Sequence, residues 1–289
     1  MHTLYREFTE QAQIDAQYNA SLQCANVAAE MRHYVEASQR AREHLPCKLN
    51  LPYGPTLAET LDIFPAVQAH APVFVFLHGG YWRALSSQDF SCIALGLHKL
   101  GITTVVVNYA LCPRVSIDEI VRQARAAVAW VLRHIAAHRG DPGRVAVGGH
   151  SAGAHLAAMC LKTAWAQDYG LPEDPLKAAL LVSGLYDLAP LRYSYLQPMI
   201  QLDDGVIRRN SPAFMVRPCT TPIWTTWGAL ETPEFARQSR TYHAVWEARG
   251  NAGVQSALPD AHHYSAIHGF ERADSVLCRW LALQLGLTA

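Results

Sequence analysis

The chain has 289 residues, 50% of them hydrophobic and 17% charged, and its 24 basic and 24 acidic residues give a formal net charge of zero. This composition is typical of a globular protein, and we expect residues 1–289 to form a single domain without a nucleic-acid or membrane-surface partner. The chain opens without a basic segment followed by an apolar one, and no apolar run could cross a bilayer. A cytoplasmic protein is therefore expected.

Metal or disulfide chemistry has little support in the sequence. The seven cysteines are odd in number, scattered and never spaced as C-x-x-C, which is typical of reduced thiols. His134 and His138 lie one turn apart on a predicted helix, but no acidic general base stands between them, so solvated histidines are the favoured interpretation. We expect neither a metal nor an organic cofactor.

The N-terminal segment, residues 1–45, is polar and helix-forming. Its apolar residues recur every three to five positions, which predicts helices that pack over another part of the protein. Two interpretations stay open for this segment. It forms either a helical layer that covers the core or a lid over the functional site.

Predicted strands and helices then alternate along the chain. Leu57–Phe64 alternates loosely and predicts an early edge strand, and Ile117–His138 has helical periodicity. Continuous apolar runs predict strands buried on both faces at Pro72–His78, Ile102–Tyr109, Ala178–Ser183, Pro222–Gly228 and, more weakly, Val254–Leu258. This alternation indicates an α/β fold with a mostly parallel sheet and helices on both faces. Residues 187–222 lack a clean period and are predicted to be an insertion near the mouth of the site.

The stretch Arg144–Ala158 carries the strongest chemical signal. A short apolar strand, Val145–Val147, runs into Gly149-His-Ser-Ala-Gly153, and a helix made of small apolar residues follows at once. A nucleophile on a tight turn between strand and helix has a strained backbone and needs neighbours without side chains. Ser151 is therefore the predicted nucleophile, with a glycine-rich packing turn as the alternative.

A second glycine motif, His78-Gly-Gly-Tyr-Trp82, follows the predicted strand Pro72–His78. Adjacent glycines allow backbone N–H groups to point at one spot, as the oxyanion of an acyl-transfer reaction requires. The candidate donors are the N–H groups of Gly80, Tyr81 and Ala152, the residue after the nucleophile. We expect His78 to hold this loop by hydrogen bonding rather than to act as a base.

A serine nucleophile also needs a base and an acid that orients the base. On such sheets the acid follows a late strand and the histidine comes last in the chain. The candidate acids are Asp187, Asp203, Asp204, Glu231, Glu234 and Asp260, and the candidate bases are His262, His263 and His268. Glu231 follows a predicted strand through a tight turn and is the preferred acid, ahead of Asp187, which could instead cap a helix. Of the histidines, His263 is preferred.

These motifs together resemble a known family. The chain is similar to the α/β-hydrolase type of arylformamidase (kynurenine formamidase) and to its bacterial esterase relatives. The resemblance covers nearly the whole chain and is carried by Gln17-Tyr-Asn19, Tyr53-Gly54, Leu61-Asp-Ile63, His78–Trp82, Gly149–Gly153, Ser183-Gly-Leu-Tyr-Asp-Leu188 and Pro233-Glu-Phe-Ala-Arg-Gln-Ser239.

The resemblance implies an α/β-hydrolase fold and a site for each role. Carried over residue by residue, it implies the nucleophile Ser151, the acid Glu231, the base His263 and an oxyanion hole around Gly79, Gly80 and Ala152. The chain departs from the family at two positions, where Glu231 replaces the usual Asp and Tyr264 replaces the usual Phe.

The resulting hypothesis is a serine hydrolase that acts on a small-molecule substrate through an acyl-enzyme. The expected substrate is a small, aromatic formamide, amide or ester, as for an arylformamidase, with a general carboxylesterase for short-chain acyl esters as the alternative. A ligand-binding scaffold without catalysis is a hypothesis of another class, which the presence of all the motif residues disfavours. The oligomeric state stays open, and a homodimer is one option.

Overall fold

The structure is a computed structural model that describes residues 3–287. The first two residues of the predicted N-terminal helical segment lie outside this range. Within it, the strands are β1 (Lys48–Pro52), β2 (Thr60–Phe64), β3 (Ala71–Leu77), β4 (Thr103–Val107), β5 (Gly140–His150), β6 (Leu176–Val182), β7 (Ile223–Gly228) and β8 (Gly253–Leu258). They form one sheet in the spatial order β1-β2-β4-β3-β5-β6-β7-β8.

The helices of the described range lie mostly between successive strands. They are α1 (Gln11–Tyr18), α2 (Val27–His44), α3 (Ala94–Lys99), α4 (Ile117–His134), α5 (Ala152–Leu161), α6 (Trp165–Tyr169), α7 (Gln197–Ile200), α8 (Asp204–Asn210), α9 (Pro233–Glu247) and α10 (Val276–Gln284). Strands β4, β3 and β5 to β8 pair in parallel, while β2 is antiparallel to both β1 and β4. The predicted α/β fold with a mostly parallel sheet is confirmed.

Apolar residues cover both faces of the sheet. Every residue of β3 is buried, because Val73, Val75 and Leu77 point into one apolar cluster while Phe74 and Phe76 point into another. The first cluster includes apolar side chains from α4, α5 and α9, and the second includes those from α3 and α10. A strand buried on both faces needs no polar alternation, which explains the continuous apolar run in the sequence.

The predicted edge strand is wrong in its position. β2 lies one strand in from the edge, with β1 outside it, and four of its five residues are buried. β1 itself was not predicted, because its five residues are mostly exposed and lack an apolar pattern. The true edge on this side of the sheet is therefore a strand with a weak hydrophobic signal.

The N-terminal segment is helical, as predicted, and reaches both faces of the sheet. Ile14 and Tyr18 of α1 belong to the apolar cluster on one face, whereas Tyr34 and Ala41 of α2 belong to the cluster on the other. The short connection between them, residues 19–26, carries the chain from one face to the other.

The region 187–222, predicted as an insertion, lies between β6 and β7. It consists of short helical turns, including α7 and α8, that are held by buried leucines such as Leu188, Leu191 and Leu196. Among residues 3–287, none of the helices combines the length and the apolarity that a membrane span requires.

Candidate active site

Ser151 occupies a strained turn between β5 and α5. Its backbone has φ 56° and ψ −120°, a conformation that side chains other than glycine rarely adopt, and its N–H donates to the carbonyl of Val182 at 2.8 Å. The residue is only 2% exposed. This is the geometry expected of a serine held at the carboxyl edge of the sheet.

The glycines around Ser151 allow the strand and the helix to pass closely. A Cβ on Gly153 would lie 1.8 Å from the carbonyl oxygen of Leu77, and a Cβ on Gly149 would lie 2.4 Å from the backbone of Gly153. A Cβ on Gly79 would lie 3.3 Å from the Cβ of Ser151, so the second glycine motif lies against the serine. The two glycine motifs, which are far apart in the sequence, meet at one place.

Glu231 and His263 form a buried pair at the ends of β7 and β8. Oε2 of Glu231 lies 3.0 Å from Nδ1 of His263, and the two side chains are 1% and 8% exposed. The other carboxylate oxygen, Oε1, accepts the N–H of Gly228 at 2.7 Å and the hydroxyl of Ser183. Both carboxylate oxygens are thus held, which fixes the imidazole in one orientation.

Aromatic rings hold the imidazole of His263 from the sides. Its ring centroid lies 4.6 Å from those of both Phe235 and His150, at interplanar angles of 44°. Burial, together with the nearby charge of His263, holds the pKa of His150 well below its ordinary value. His150 therefore stays neutral and does not compete with the paired imidazole for a proton.

The motif His78–Trp82 forms a tight loop with an unusual backbone. Gly80, Tyr81 and Trp82 all have positive φ, and the carbonyl of Gly80 turns back to accept the N–H groups of Arg83 and Ala84 at 3.0 and 3.1 Å. Within residues 3–287, the N–H groups of Gly80 and Tyr81 donate to no backbone carbonyl. These donors remain available to a ligand.

His78 supports this loop from below, as predicted. Its ring stacks on that of Tyr109 at a centroid distance of 4.1 Å, and its Nδ1 lies 2.7 Å from the carbonyl oxygen of Gly79. The hydroxyl of Tyr109 donates to the carbonyl of His78 at 2.6 Å. Burial lowers the pKa of His78 to about 4, so the side chain is neutral near pH 7.

A cavity of about 200 Å³ lies over these residues. Its floor includes Ser151, His263 and the predicted oxyanion residues Gly79, Gly80 and Tyr81, while Ala152 begins α5 directly after the serine. The N-terminal segment supplies one wall through Ala20, Ser21, Met31 and Tyr34. The structure thus brings the sequence-predicted residues to one cavity, with Glu231 behind His263 and Ala152 next to Ser151.

Hydrogen bonds fix the N-terminal wall to the region that carries the imidazole. Tyr34 donates to the carbonyl of Tyr264 at 2.6 Å, and the hydroxyls of Tyr264 and Ser21 lie 3.0 Å apart. The hydroxyl of Tyr81 donates to the carbonyl of Tyr18. The hydroxyl that distinguishes Tyr264 from the phenylalanine usual in the family thus contacts the N-terminal segment.

Asp187, the alternative acid, lies in another environment. Its carboxylate accepts the hydroxyl of Tyr5 at 2.7 Å and the N–H of Ala189 at 2.9 Å, the contacts of a residue that caps a turn. Three of the remaining candidate acids have other partners, since Asp203 caps α8, Asp204 pairs with Arg192 and Glu234 pairs with Arg237.

The alternative histidines contact the N-terminal segment. Nε2 of His262 lies 3.4 Å from one oxygen of Glu30, and Nε2 of His268 lies 3.1 Å from the other. Cys24, Glu30 and His262 form a group whose side-chain atoms lie within 4.8 Å of one another. Nδ1 of His262 accepts the N–H of Ser265 at 3.3 Å, which leaves the proton on Nε2, so this nitrogen faces Glu30 as a donor rather than a metal ligand.

Aromatic residues that line the cavity include Tyr81 and Tyr195. Trp82 instead donates to His155 at 3.2 Å, and Tyr186 stacks on a core tyrosine. Contributors that the sequence did not identify as site residues include the wall residues Ser21 and Tyr34, the cavity residue Arg83 and the Glu231 partner Ser183. Only Ser183 carried a signal, because it ends a predicted strand at the same sheet edge.

Comparison with known proteins gives the class to which this architecture belongs. The family model of the alpha/beta hydrolase fold matches residues 74–221, about half of the chain. A Silicibacter protein described as a thioesterase has a crystal structure with a TM-score of 0.81 and 27% identity, over 93% of this chain and 99% of that one. An esterase of Pyrobaculum calidifontis, at 18% identity and a TM-score of 0.72, shares the fold over 95% of this chain and 96% of its own.

Relatives that are similar in sequence include enzymes with a narrower description. A kynurenine formamidase of Salmo salar is 32% identical over 87% of this chain and 86% of its own. Another, of Danio rerio, is 30% identical over 95% of this chain and 96% of its own. The chain therefore belongs to the α/β-hydrolase family that contains the kynurenine formamidases and related bacterial esterases, and it is a hydrolase.

Proposed function

We propose that the protein is a serine hydrolase that cleaves a small, aromatic formamide or a related ester through an acyl-enzyme. The observation that carries this proposal is the meeting of three features at one cavity. They are the strained turn at Ser151, the buried pair of Glu231 and His263, and the backbone donors of the Gly79–Tyr81 loop.

The hydrogen bond between Glu231 and His263 defines the role of each nitrogen of the imidazole. Nδ1 donates to the carboxylate, so Nε2 carries the lone pair and acts as the base. His263 then takes the proton of Ser151 as the serine attacks the carbonyl. It returns this proton to the departing aniline or alcohol, and a second cycle with water releases the acid and restores the serine.

The negative oxygen of the tetrahedral intermediate lies among the N–H groups of Gly80, Tyr81 and Ala152 in this mechanism. Two of these groups belong to a loop that is held by the stacked ring of His78, so they are oriented before substrate binds. Loss of one such donor is expected to raise the barrier by about 3 kcal/mol. The mechanism uses side chains and backbone of this chain alone.

An aromatic formamide is the preferred substrate for two reasons. The kynurenine formamidases among the relatives match almost the full length of this chain, and the cavity is lined by the aromatic rings of Tyr34, Tyr195 and Tyr264. A carboxylesterase is the second candidate, because an esterase of Mycobacterium tuberculosis is 28% identical over 81% of this chain. That chain is longer, and the match covers 59% of it.

The test compares N-formyl-L-kynurenine with p-nitrophenyl acetate for the wild type and Ser151→Ala. A much higher kcat/KM for the formamide, lost in Ser151→Ala, would support the formamidase. Turnover of the ester alone would support the esterase. A lack of Ser151-dependent turnover, together with no labelling by a fluorophosphonate probe, would favour the non-catalytic scaffold.

Matched variants test the proposed acid and base. Glu231→Gln is expected to lower kcat by roughly 10⁴-fold, as loss of the orienting carboxylate does in comparable triads. Asp187→Asn, at the alternative acid, should leave kcat within a few-fold of the wild type. His263→Gln and His262→Gln form the corresponding pair for the base, and a larger loss in His262→Gln would contradict the assignment.

A further inference from the structure

The wall of the catalytic cavity contains one guanidinium group, that of Arg83. The backbone of Arg83 is held by the carbonyl of Gly80 at 3.0 Å, so the residue follows directly on the loop of proposed oxyanion donors. Its guanidinium lies 6.0 Å from the ring centroid of Tyr195, another cavity residue. Tyr195 is fixed in turn through its N–H, which donates to Asp15 of the N-terminal segment at 2.7 Å.

In the part of the chain that the structure describes, Arg83 carries a positive charge without a negative partner. Among residues 3–287, no carboxylate oxygen lies within 4.0 Å of its guanidinium. By contrast, arginines such as Arg122, Arg217 and Arg237 each contact at least one carboxylate. A half-buried charge next to a cavity is stabilised when a ligand supplies the opposite charge.

Arg83 also lines a second cavity, of about 750 Å³, and stands with Leu85 between the two. Glu119 is the acidic residue on this second wall, and both of its oxygens are occupied by Arg122 and Gln123 at 2.8 to 2.9 Å. Arg114 adds a further positive charge that is exposed. The second cavity therefore favours a negatively charged group.

The sizes of the two cavities agree with a substrate that occupies both of them. The catalytic cavity of about 200 Å³ is small beside the range of roughly 300 to 1,000 Å³ in which proteins enclose drug-sized ligands. It has room for the acyl group and the bond that is cleaved. The rest of a larger substrate would have to extend past Arg83.

We propose that Arg83 binds a carboxylate on the leaving group of the substrate and so selects anionic substrates over neutral ones. The leaving group extends from Ser151 past Arg83 toward the second cavity. This inference rests on the proposed hydrolase function. To that function, the inference adds the charge of the substrate and the residue that recognises this charge.

The experiment uses two esters of similar shape, 4-acetoxybenzoate and its neutral amide, 4-acetoxybenzamide. The wild type is expected to prefer the anion by roughly 10- to 100-fold in kcat/KM, the range for a hydrogen bond to a charged group. Arg83→Gln should bring this ratio close to one, mainly through the KM of the anion. Arg83→Lys should keep part of the preference, because lysine retains the charge but not the planar fork.

Arg249→Gln is the control for a change in net charge. Arg249 is exposed and follows α9, at the opposite end of that helix from Glu231. This variant should keep the wild-type ratio. A wild-type ratio near one, or an unchanged ratio in Arg83→Gln, would overturn the proposal, even if Ser151-dependent turnover of the neutral ester upheld the hydrolase function.

Binding of the products gives a readout that does not need turnover. Calorimetry on Ser151→Ala should show tighter binding of 4-hydroxybenzoate than of 4-hydroxybenzamide, and the added Arg83→Gln change should remove the difference. Equal binding of the two products in Ser151→Ala would also reject the proposal. If no variant turned over either ester, these titrations would still test the anion site, while the comparison with N-formyl-L-kynurenine would test the hydrolase function.

Discussion

His155 on α5 should make the fold sensitive to acid. Its side chain is fully buried, with Nδ1 accepting the indole N–H of Trp82 at 3.2 Å and Nε2 lying 2.7 Å from the carbonyl oxygen of Asn210. A neutral imidazole satisfies both contacts. In a protonated imidazole, the added Nδ1–H donor would face the indole N–H donor of Trp82. Burial, with a smaller contribution from Arg125, lowers the pKa of His155 from 6.5 to about 4.

The sign of the effect follows from the lowered pKa. The folded state resists the proton that the unfolded chain accepts, so the stabilisation is intact above pH 6.5 and is lost as the pH falls toward 4. The full shift of the pKa corresponds to about 3 kcal/mol in the free energy of unfolding. The part of this free energy that is lost between pH 7 and pH 5 is about 2 kcal/mol.

The assay is urea unfolding of the wild type and His155→Gln at pH 7, 6 and 5. The wild type should lose about 2 kcal/mol more unfolding free energy than the variant between pH 7 and pH 5. His70→Gln, at an exposed histidine, should follow the wild type. Equal pH dependence in the wild type and His155→Gln would refute the reasoning, because other buried histidines such as His78 contribute equally to both proteins.

Three further predictions concern the turn and the acid. Gly153→Ala should prevent folding, since its Cβ would lie 1.8 Å from the Leu77 carbonyl oxygen. Gly143→Ala is the control, because its Cβ would approach only a side-chain oxygen at 3.2 Å. This variant should fold with a nearly unchanged melting temperature. Ser183→Ala removes a hydrogen bond to the Glu231 carboxylate. The variant should lower kcat about tenfold with little effect on thermal unfolding. An unchanged kcat would contradict a role for this contact in catalysis. Glu231→Asp should lower kcat by roughly 100-fold in steady-state kinetics, because the shorter arm moves the carboxylate away from the imidazole. Wild-type activity in Glu231→Asp would mean that the site adapts to the aspartate usual in the family.

The elements that carry the proposed chemistry were the easiest to predict. Each has a local signal, since the turn at Ser151 lies between a buried strand and a small-residue helix, and Glu231 follows the next-to-last strand through a tight turn. The carboxyl ends of parallel strands meet at one edge, so the order of strands and motifs was enough to bring these residues together. The paired positions of Glu231 and His263 follow from β7 and β8 being neighbours.

The walls of the cavity could not be predicted in the same way. Tyr34 reaches Tyr264 across 230 positions of sequence, and nothing in the pattern around either residue indicates the other. The N-terminal periodicity indicated helices but not which face of the sheet they cover. Arg83 follows a recognised motif, yet its lack of a carboxylate partner is a property of the folded chain, because it depends on where every acidic residue lies.

The N-terminal segment has a consequence for how this site could diversify. Its connection between α1 and α2 lies at the wall of the cavity and contacts Tyr264 through the hydroxyl of Ser21, while Ser151 and the pair of Glu231 and His263 lie at the ends of strands of the sheet. A change in that connection would alter the size and polarity of the space above the serine without moving the residues beneath it. New substrates could therefore be gained by altering a short outer stretch of chain, at little risk to the architecture that supports the nucleophile.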